Sequence, residues 1–243
     1  MKMSASFLRC LMAWPVLNLV RSEAAPPIMA RPDLAQSQPP IPWNELGAKA
    51  TAQYSGDGLA VNATADGARL RCTFQKLEGE VTPKGLWLSS TAPEASNTHF
   101  RVLATSVGRE REVRRTLAST GAVESRSGLV RFIRPGLIEE YSVSVDGLRQ
   151  DFVLPERIPG EGALTVELNL FGATAETSPD GARLVLENSG RKLNYHRLRA
   201  SDASGRELAA RMEVVSTMQL AVMVEDGGAV YPVRIDPTFS DAN

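Results

Sequence analysis

The stretch that most restricts what this chain can become runs from Leu137 to Leu154. Tyr141, Val143 and Val145 alternate with Ser142, Ser144 and Asp146, and after Gly147 a second run sets Leu148, Gln150, Phe152 and Leu154 along one side. Alternation of period two sends successive side chains to opposite faces of a strand. An Asp-Gly pair between two such runs is the strongest short-range hairpin signal, because a type I′ turn needs positive φ at both loop positions. The spacing predicts a hairpin whose two-residue loop is Asp146-Gly147. A hairpin alone is marginal in water, so its apolar side demands further strands.

The rest of the chain supplies them. Leu59 and Val61 precede the turn Asp66-Gly67, and Leu70, Cys72 and Phe74 then point one way. Leu86 to Ser90, the alternating Phe100, Val102 and Ala104, and Leu129 to Ile133 lead to the hairpin. After it, Leu164, Val166, Leu168 and Leu170 alternate with Thr165, Glu167 and Asn169, which predicts one face in a core and one in water. Leu184 and Leu186, Leu193 and Tyr195, Leu208 to Val215, Leu220 to Val224 and Val230 to Ile235 complete the series. Arg109 to Thr116 fits a short charged helix or a strand, and its neighbours favour the strand.

Turns recur about every eight to twelve residues and no helical segments lie between the strands, so the expected class is all-β: an antiparallel β-sandwich of hairpins and meanders. Parallel pairing would need crossover helices. The word Asp-Gly-Ala-Arg-Leu occurs at Asp66 to Leu70 and again at Asp180 to Leu184. Two packed, related β modules would explain it, and so would coincident turn chemistry.

Ahead of the strands the pattern changes. Lys2 and Arg9 flank the start of an apolar run, Cys10 to Val20, that ends near Ser22-Glu23-Ala24. This is the layout of a secretory signal peptide, and the run falls short of the roughly 20 residues a membrane span needs. Pro26, Pro27, Pro32, Pro39, Pro40 and Pro42 then mark an extended linker, with a short helical turn expected from Asn44 to Ala50. The expected organisation is a signal peptide over residues 1–24, a Pro-rich linker over 25–45, an N-terminal β region over 46–136 and a C-terminal β-sandwich region over 137–243. Removing the signal leaves Cys72 as the one thiol, expected as a buried structural residue.

Chemistry is sparse. With 27 basic and 28 acidic residues the formal charge is −1, so no broad electrostatic footprint for nucleic acid or an anionic membrane exists. His99 and His196 fall within strands and no serine sits in a nucleophile-elbow pattern, so both are expected as structural histidines. Glu139 and Glu140 are adjacent on a strand and must face opposite ways, whereas a glycosidase holds two carboxylates about 5 to 10 Å apart across one bond. One solvated and one partnered glutamate is expected. Neither metal-ligand spacing nor a full calcium loop is present. Trp43, Trp87 and Tyr195 could offer rings to a sugar or peptide, or simply pack. No catalytic, cofactor-binding or metal-ligating residue is therefore predicted.

Three connected segments carry a resemblance: Arg131-Phe132-Ile133-Arg134-Pro135-Gly136-Leu137, Glu139-Glu140-Tyr141-Ser142-Val143-Ser144-Val145-Asp146-Gly147 and Arg149-Gln150-Asp151-Phe152-Val153. With Gly181 to Asn188, Tyr231 to Phe239, Ile41 to Gly47 and Gly85 to Leu88, they resemble the N-terminal β-rich domain of large secreted bacterial repeat proteins, where it precedes β-propeller-type repeats. The resemblance implies export to the cell envelope or exterior and carries over no catalytic residue. Relatives of that kind continue into repeats beyond the position of Asn243, so a leading part of a longer protein is implied.

The expected function is thus a non-enzymatic, exported module, the leading or adhesive and scaffold part of a larger envelope or extracellular repeat protein. Its expected partner is an extracellular protein or glycan, with no nucleic acid and no membrane insertion once the signal is removed. The competing expectation is a secreted glycan-active hydrolase or its carbohydrate-binding accessory module. It would gain from Trp43, Trp87 and Tyr195 sharing one exposed face.

Overall fold

The computed structural model describes residues 43–96, 98–109 and 114–242. The expected signal peptide, the linker as far as residue 42 and the middle of the ambiguous charged stretch lie outside them. The predicted helical turn is longer than expected: helix α1 spans Trp43–Gln53. There follow β1 (Leu59–Ala63), β2 (Ala68–Cys72), β3 (Leu77–Thr82), β4 (Gly85–Ser90), β5 (His99–Arg109) and β6 (Arg115–Thr116). Next come β7 (Ala122–Arg126), β8 (Leu129–Arg134), β9 (Leu137–Ser144), β10 (Gly147–Leu154), β11 (Leu164–Phe171), β12 (Ala173–Ser178) and β13 (Gly181–Leu186). The chain continues through β14 (Lys192–His196), β15 (Ala200–Ser201), β16 (Glu207–Leu208), β17 (Ala210–Ser216), β18 (Gln219–Val224), β19 (Val233–Ile235) and β20 (Thr238–Asp241).

These strands form two antiparallel sheets, as the alternation requires. The first has the order β1-β2-β3-β4-β5-β11-β18-β17, with β6 on β5. The second has the order β12-β13-β14-β20-β10-β19-β15-β16, and β9, β8 and β7 extend from the other edge of β10. Residues from both sides of position 137 build the first sheet, because β5 pairs with β11. One core runs from Ala68 to Phe239 between the sheets, with Phe100, Phe152 and Tyr195 fully buried in it.

The predicted hairpin, β9–β10, lies at the middle of the second sheet. Its loop sits one residue earlier than expected. Ser144 pairs with Gly147, so Val145 and Asp146 make the turn and neither has positive φ. Gly147 is required for another reason. A Cβ there would lie 2.0 Å from the Phe239 carbonyl oxygen of β20, and its φ is +148°. The turn is also clasped from elsewhere: Thr51 of α1 accepts the Val145 amide at 3.1 Å, Gln75 donates to the Val145 carbonyl at 2.8 Å and Arg197 pairs with Asp146 at 2.8 Å.

Both Asp-Gly-Ala-Arg-Leu words obey the same local rule in different sheets. The Asp makes the turn, and Gly67 or Gly181 abuts a carbonyl of the next strand (Val81 or Tyr195). The Ala and Leu of each word then face the core. Turn chemistry plus close approach accounts for the repeated word.

Three expectations need correction. Leu70 and Cys72 point inward, but the strand stops there; Phe74 sits in a short 3₁₀ turn, about half exposed and edge-on to Tyr54 at 5.1 Å. Val230 is exposed and the strand begins at Val233, because Pro232 has no amide N–H to give to a ladder. Glu139 and Glu140 do face opposite ways, yet both are buried and both are partnered. Glu139 meets Arg134, Tyr141 and Gln150 between the sheets; Glu140 meets Arg131 and Arg234 on the outer face.

That outer face also holds Asp151 and Asp236 beside Arg149 and Arg234. Burial, opposed by Arg149 and reinforced by Asp151, pushes the Asp236 carboxyl up to about 6. A folded value above the unfolded one of about 3.9 means the native state prefers the proton. This group's contribution is therefore fully present below about pH 4 and lost as pH rises through about 6. Asp236→Asn keeps the acceptor for the Arg199 amide and should raise stability by about 1–2 kcal/mol at pH 7.5 and hardly at all at pH 4. Thermal melts at both pH values check it; equal stabilisation at the two would refute the assignment.

Candidate binding face

The outer face of the first sheet assembles from its register. Asn62, Arg69 and Glu80 stand opposite one another across β1, β2 and β3, and Glu80 stands opposite Trp87 on β4. Leu88 pairs with Phe100, so Trp87 comes beside Arg101, and Arg101 pairs with Phe171 on β11. Two residues along, a second row holds Arg71, Glu78, Ser89 and His99. The strands place all of these on one face because their alternate neighbours, Leu70, Gly79, Leu88 and Phe100, are taken up by the core side.

At the centre is Arg101. Its guanidinium carbon lies 5.0 Å from the centre of the Trp87 ring and 5.8 Å from that of Phe171. Trp87 is 37% exposed and Phe171 41%, whereas Arg101 is only 9% exposed. Nη2 donates to the Lys84 carbonyl at 2.7 Å and Nε has no hydrogen-bond partner. Among the described residues no carboxylate lies within ion-pair distance of it. Desolvation by burial lowers its pKa, against weaker support from Tyr141 and Glu139. Cation–π contact with two rings recovers part of that cost, about 0.5–2 kcal/mol each. The arrangement is a cation held between two solvent-facing aromatic surfaces, with only the more distant charge of Glu139 as acidic support among the described residues.

Beside it runs a trough of about 430 Å³ lined by Asn62, Arg69, Arg71, Glu78, Glu80 and Ser89. Its groups can donate and accept hydrogen bonds in both directions. Arg71 and Glu78 are paired at 3.2 Å, both about half exposed, and such a pair contributes little to stability. A larger depression of about 650 Å³ opens near β13, β14 and β17, but its two arginines are engaged: Arg197 with Asp146, Arg211 with Glu213 and Glu225.

The histidines occupy strands, as expected. His99 Nδ1 lies 2.8 Å from Ser89 Oγ and His196 Nε2 lies 2.8 Å from Ser240 Oγ. Burial first, and Arg197 second, lower the His196 pKa, which favours the neutral ring beside the Ser240 hydroxyl. Cys72 is buried, donates to the Ser144 carbonyl at 3.3 Å, and burial pushes its thiol up to about 11. A thiol so placed is a poor nucleophile at neutral pH.

Two of the three rings singled out in the sequence, Trp87 and Tyr195, do not share a face, and the side chain of Trp43 lies outside the described residues. Tyr195 is fully buried, stacked on Phe239 at 4.4 Å with its hydroxyl on Gln150 at 3.0 Å. Trp43 opens α1, and Trp87 lies on the outer face. Phe171 and Arg101 went unremarked. A signal for Phe171 was present: it extends the series Thr165, Glu167, Asn169 on the face expected to meet water, although Thr165 is fully buried there and only Phe171 is exposed. Arg101 follows Phe100 on the opposite face by the same rule.

No known protein family, curated protein or solved structure matches the chain. The resemblance to secreted repeat proteins therefore rests on its strand motifs alone.

Proposed function

We propose that this chain is a non-enzymatic binding module, exported as the leading or adhesive part of a cell-envelope or extracellular protein, and that it binds through the outer face of its first sheet. The row Trp87, Arg101 and Phe171 is the observation that carries this reading. Single exposed apolar residues are ordinary on a protein surface. Here two rings and a buried cation with no carboxylate in ion-pair contact among the described residues stand in register on adjacent strands of a rigid sheet, where pre-ordered side chains lose little entropy on binding. Glu139 and Glu140, the adjacent carboxylates that could be imagined in catalysis, are instead each paired with an arginine.

The test is retention of the labelled, purified chain on bacterial envelopes and on extracellular matrix material. The double variant Trp87→Ala/Phe171→Ala should retain at least about tenfold less while keeping its circular dichroism. Equal retention of variant and native chain would remove this face from the proposal. Turnover of a panel of glycan, ester and peptide substrates would overturn the non-enzymatic reading. N-terminal sequencing of exported material addresses the compartment: a start after residue 24 is expected, and an intact Met1 would sink export.

A further inference from the structure

We infer that the ligand of this face is an acidic polysaccharide, with a uronate carboxylate seated at Arg101 and sugar rings laid against Trp87 and Phe171. The inference rests on the binding reading above and gives it a ligand class.

Three observations point the same way. Arg101 is nine-tenths buried, has no carboxylate partner among the described residues and keeps Nε without an acceptor. A buried charge with no counter-ion in contact is costly, and an incoming anion offsets that cost more than it would for a solvated arginine. A planar guanidinium also matches a planar carboxylate through paired N–H···O bonds.

The second observation is spacing. Trp87 and Phe171 lie on β4 and β11 with β5 between them. Two strand spacings put the rings about 10 Å apart, the scale of a disaccharide step. The apolar C–H faces of two sugar units in one chain can then meet two rings while the anionic group between them meets Arg101.

The third is the surrounding polarity. Arg69, Arg71, Lys84 and Arg101 stand near Glu78 and Glu80, so the face carries a local excess of positive charge although the whole chain is nearly neutral. Asn62, Ser89 and Glu80 add hydroxyl-matching donors and acceptors along the trough. An acidic peptide would satisfy Arg101 but would give no reason for paired rings at this spacing beside such a trough. A neutral glycan would use the rings and leave Arg101 unmet.

The test uses the full chain in a binding assay at physiological salt, with four probes: polygalacturonate, its fully methyl-esterified form, poly-glutamate and dextran. Polygalacturonate should bind at least about tenfold more tightly than each of the other three. Trp87→Ala, Phe171→Ala and Arg101→Gln should each weaken that binding by about tenfold, and Arg101→Lys should restore only part of it. The ester arm needs no variant, so a misfolded Arg101→Gln leaves the question decidable. Equal affinity for the acid and its ester would overturn the role of the carboxylate. Poly-glutamate binding as tightly as polygalacturonate, or polygalacturonate binding untouched by Trp87→Ala, would overturn the sugar and leave charge alone. Failure of every glycan, with Trp87-dependent retention on envelopes intact, would overturn this inference while the binding reading stands. Loss of both would overturn both.

Discussion

Gly147→Val should destabilise the protein by about 4 kcal/mol and lower its melting temperature on the order of 10 °C. Two separate costs combine. At φ +148° a β-branched residue is strongly disfavoured. A Cβ would also lie 2.0 Å from the Phe239 carbonyl oxygen, which is main chain and cannot rotate aside. Relief would require β20 to move off β10, and β20 is the strand that joins β10 to β14. The control is Gly128→Ala, at φ +81° with nothing within 4 Å of the added carbon, which should cost only about 1 kcal/mol. Gly147→Ala should cost clearly more than this. Equal losses from the two alanine variants in denaturant titrations would refute the close-approach account and reduce Gly147 to an ordinary turn glycine.

The contrast between those glycines shows what the sequence could and could not say. Asp-Gly announced a hairpin correctly because its flanking alternation is local. It misplaced the loop by one residue because the demand on Gly147 comes from β20, almost a hundred positions away. β20 itself was illegible: Thr238 to Asp241 is four residues long, too short to show a period, and is a strand only because β10 and β14 leave it a slot. By contrast Leu164 to Phe171 displayed its two faces openly, and the all-β, antiparallel class followed from such stretches. The binding face was half legible. Alternation implied which side Phe171 and Arg101 must take, but that Trp87, Arg101 and Phe171 share a row depends on the pairing of β4, β5 and β11, which no local pattern encodes. Tyr195 misled for the same reason. An aromatic at an alternating position is core or surface according to what packs over it.

A double-mutant cycle on Arg134 and Glu139 should give a large coupling and connects the interior to the binding face. Both side chains are about 1% exposed and are hydrogen-bonded to each other. Glu139 also accepts from the Tyr141 hydroxyl at 2.8 Å and from Gln150 Nε2 at 2.7 Å, while Arg134 donates to the Ala104 carbonyl at 2.9 Å. Gln150 donates in turn to the Val102 carbonyl at 3.0 Å. Val102 and Ala104 belong to β5 where its pairing with β4 has already ended, so these carbonyls need partners and find them across the core. Glu139→Leu strands a buried guanidinium and should cost about 3–5 kcal/mol, and Arg134→Met should cost about as much by stranding the carboxylate. Once one charge has gone, losing the second removes a liability. The double variant should therefore cost little more than either single one, a coupling of about 3 kcal/mol. Additive losses in denaturant titrations would show that the two do not act as a pair. Because Arg134 holds the Ala104 carbonyl in the segment of β5 that follows Arg101, Arg134→Met should also weaken polygalacturonate binding, and Arg134→Met/Glu139→Leu should weaken it as much. The charge pair can be balanced by removing both members, but the hydrogen bond to Ala104 cannot be restored by leucine or methionine.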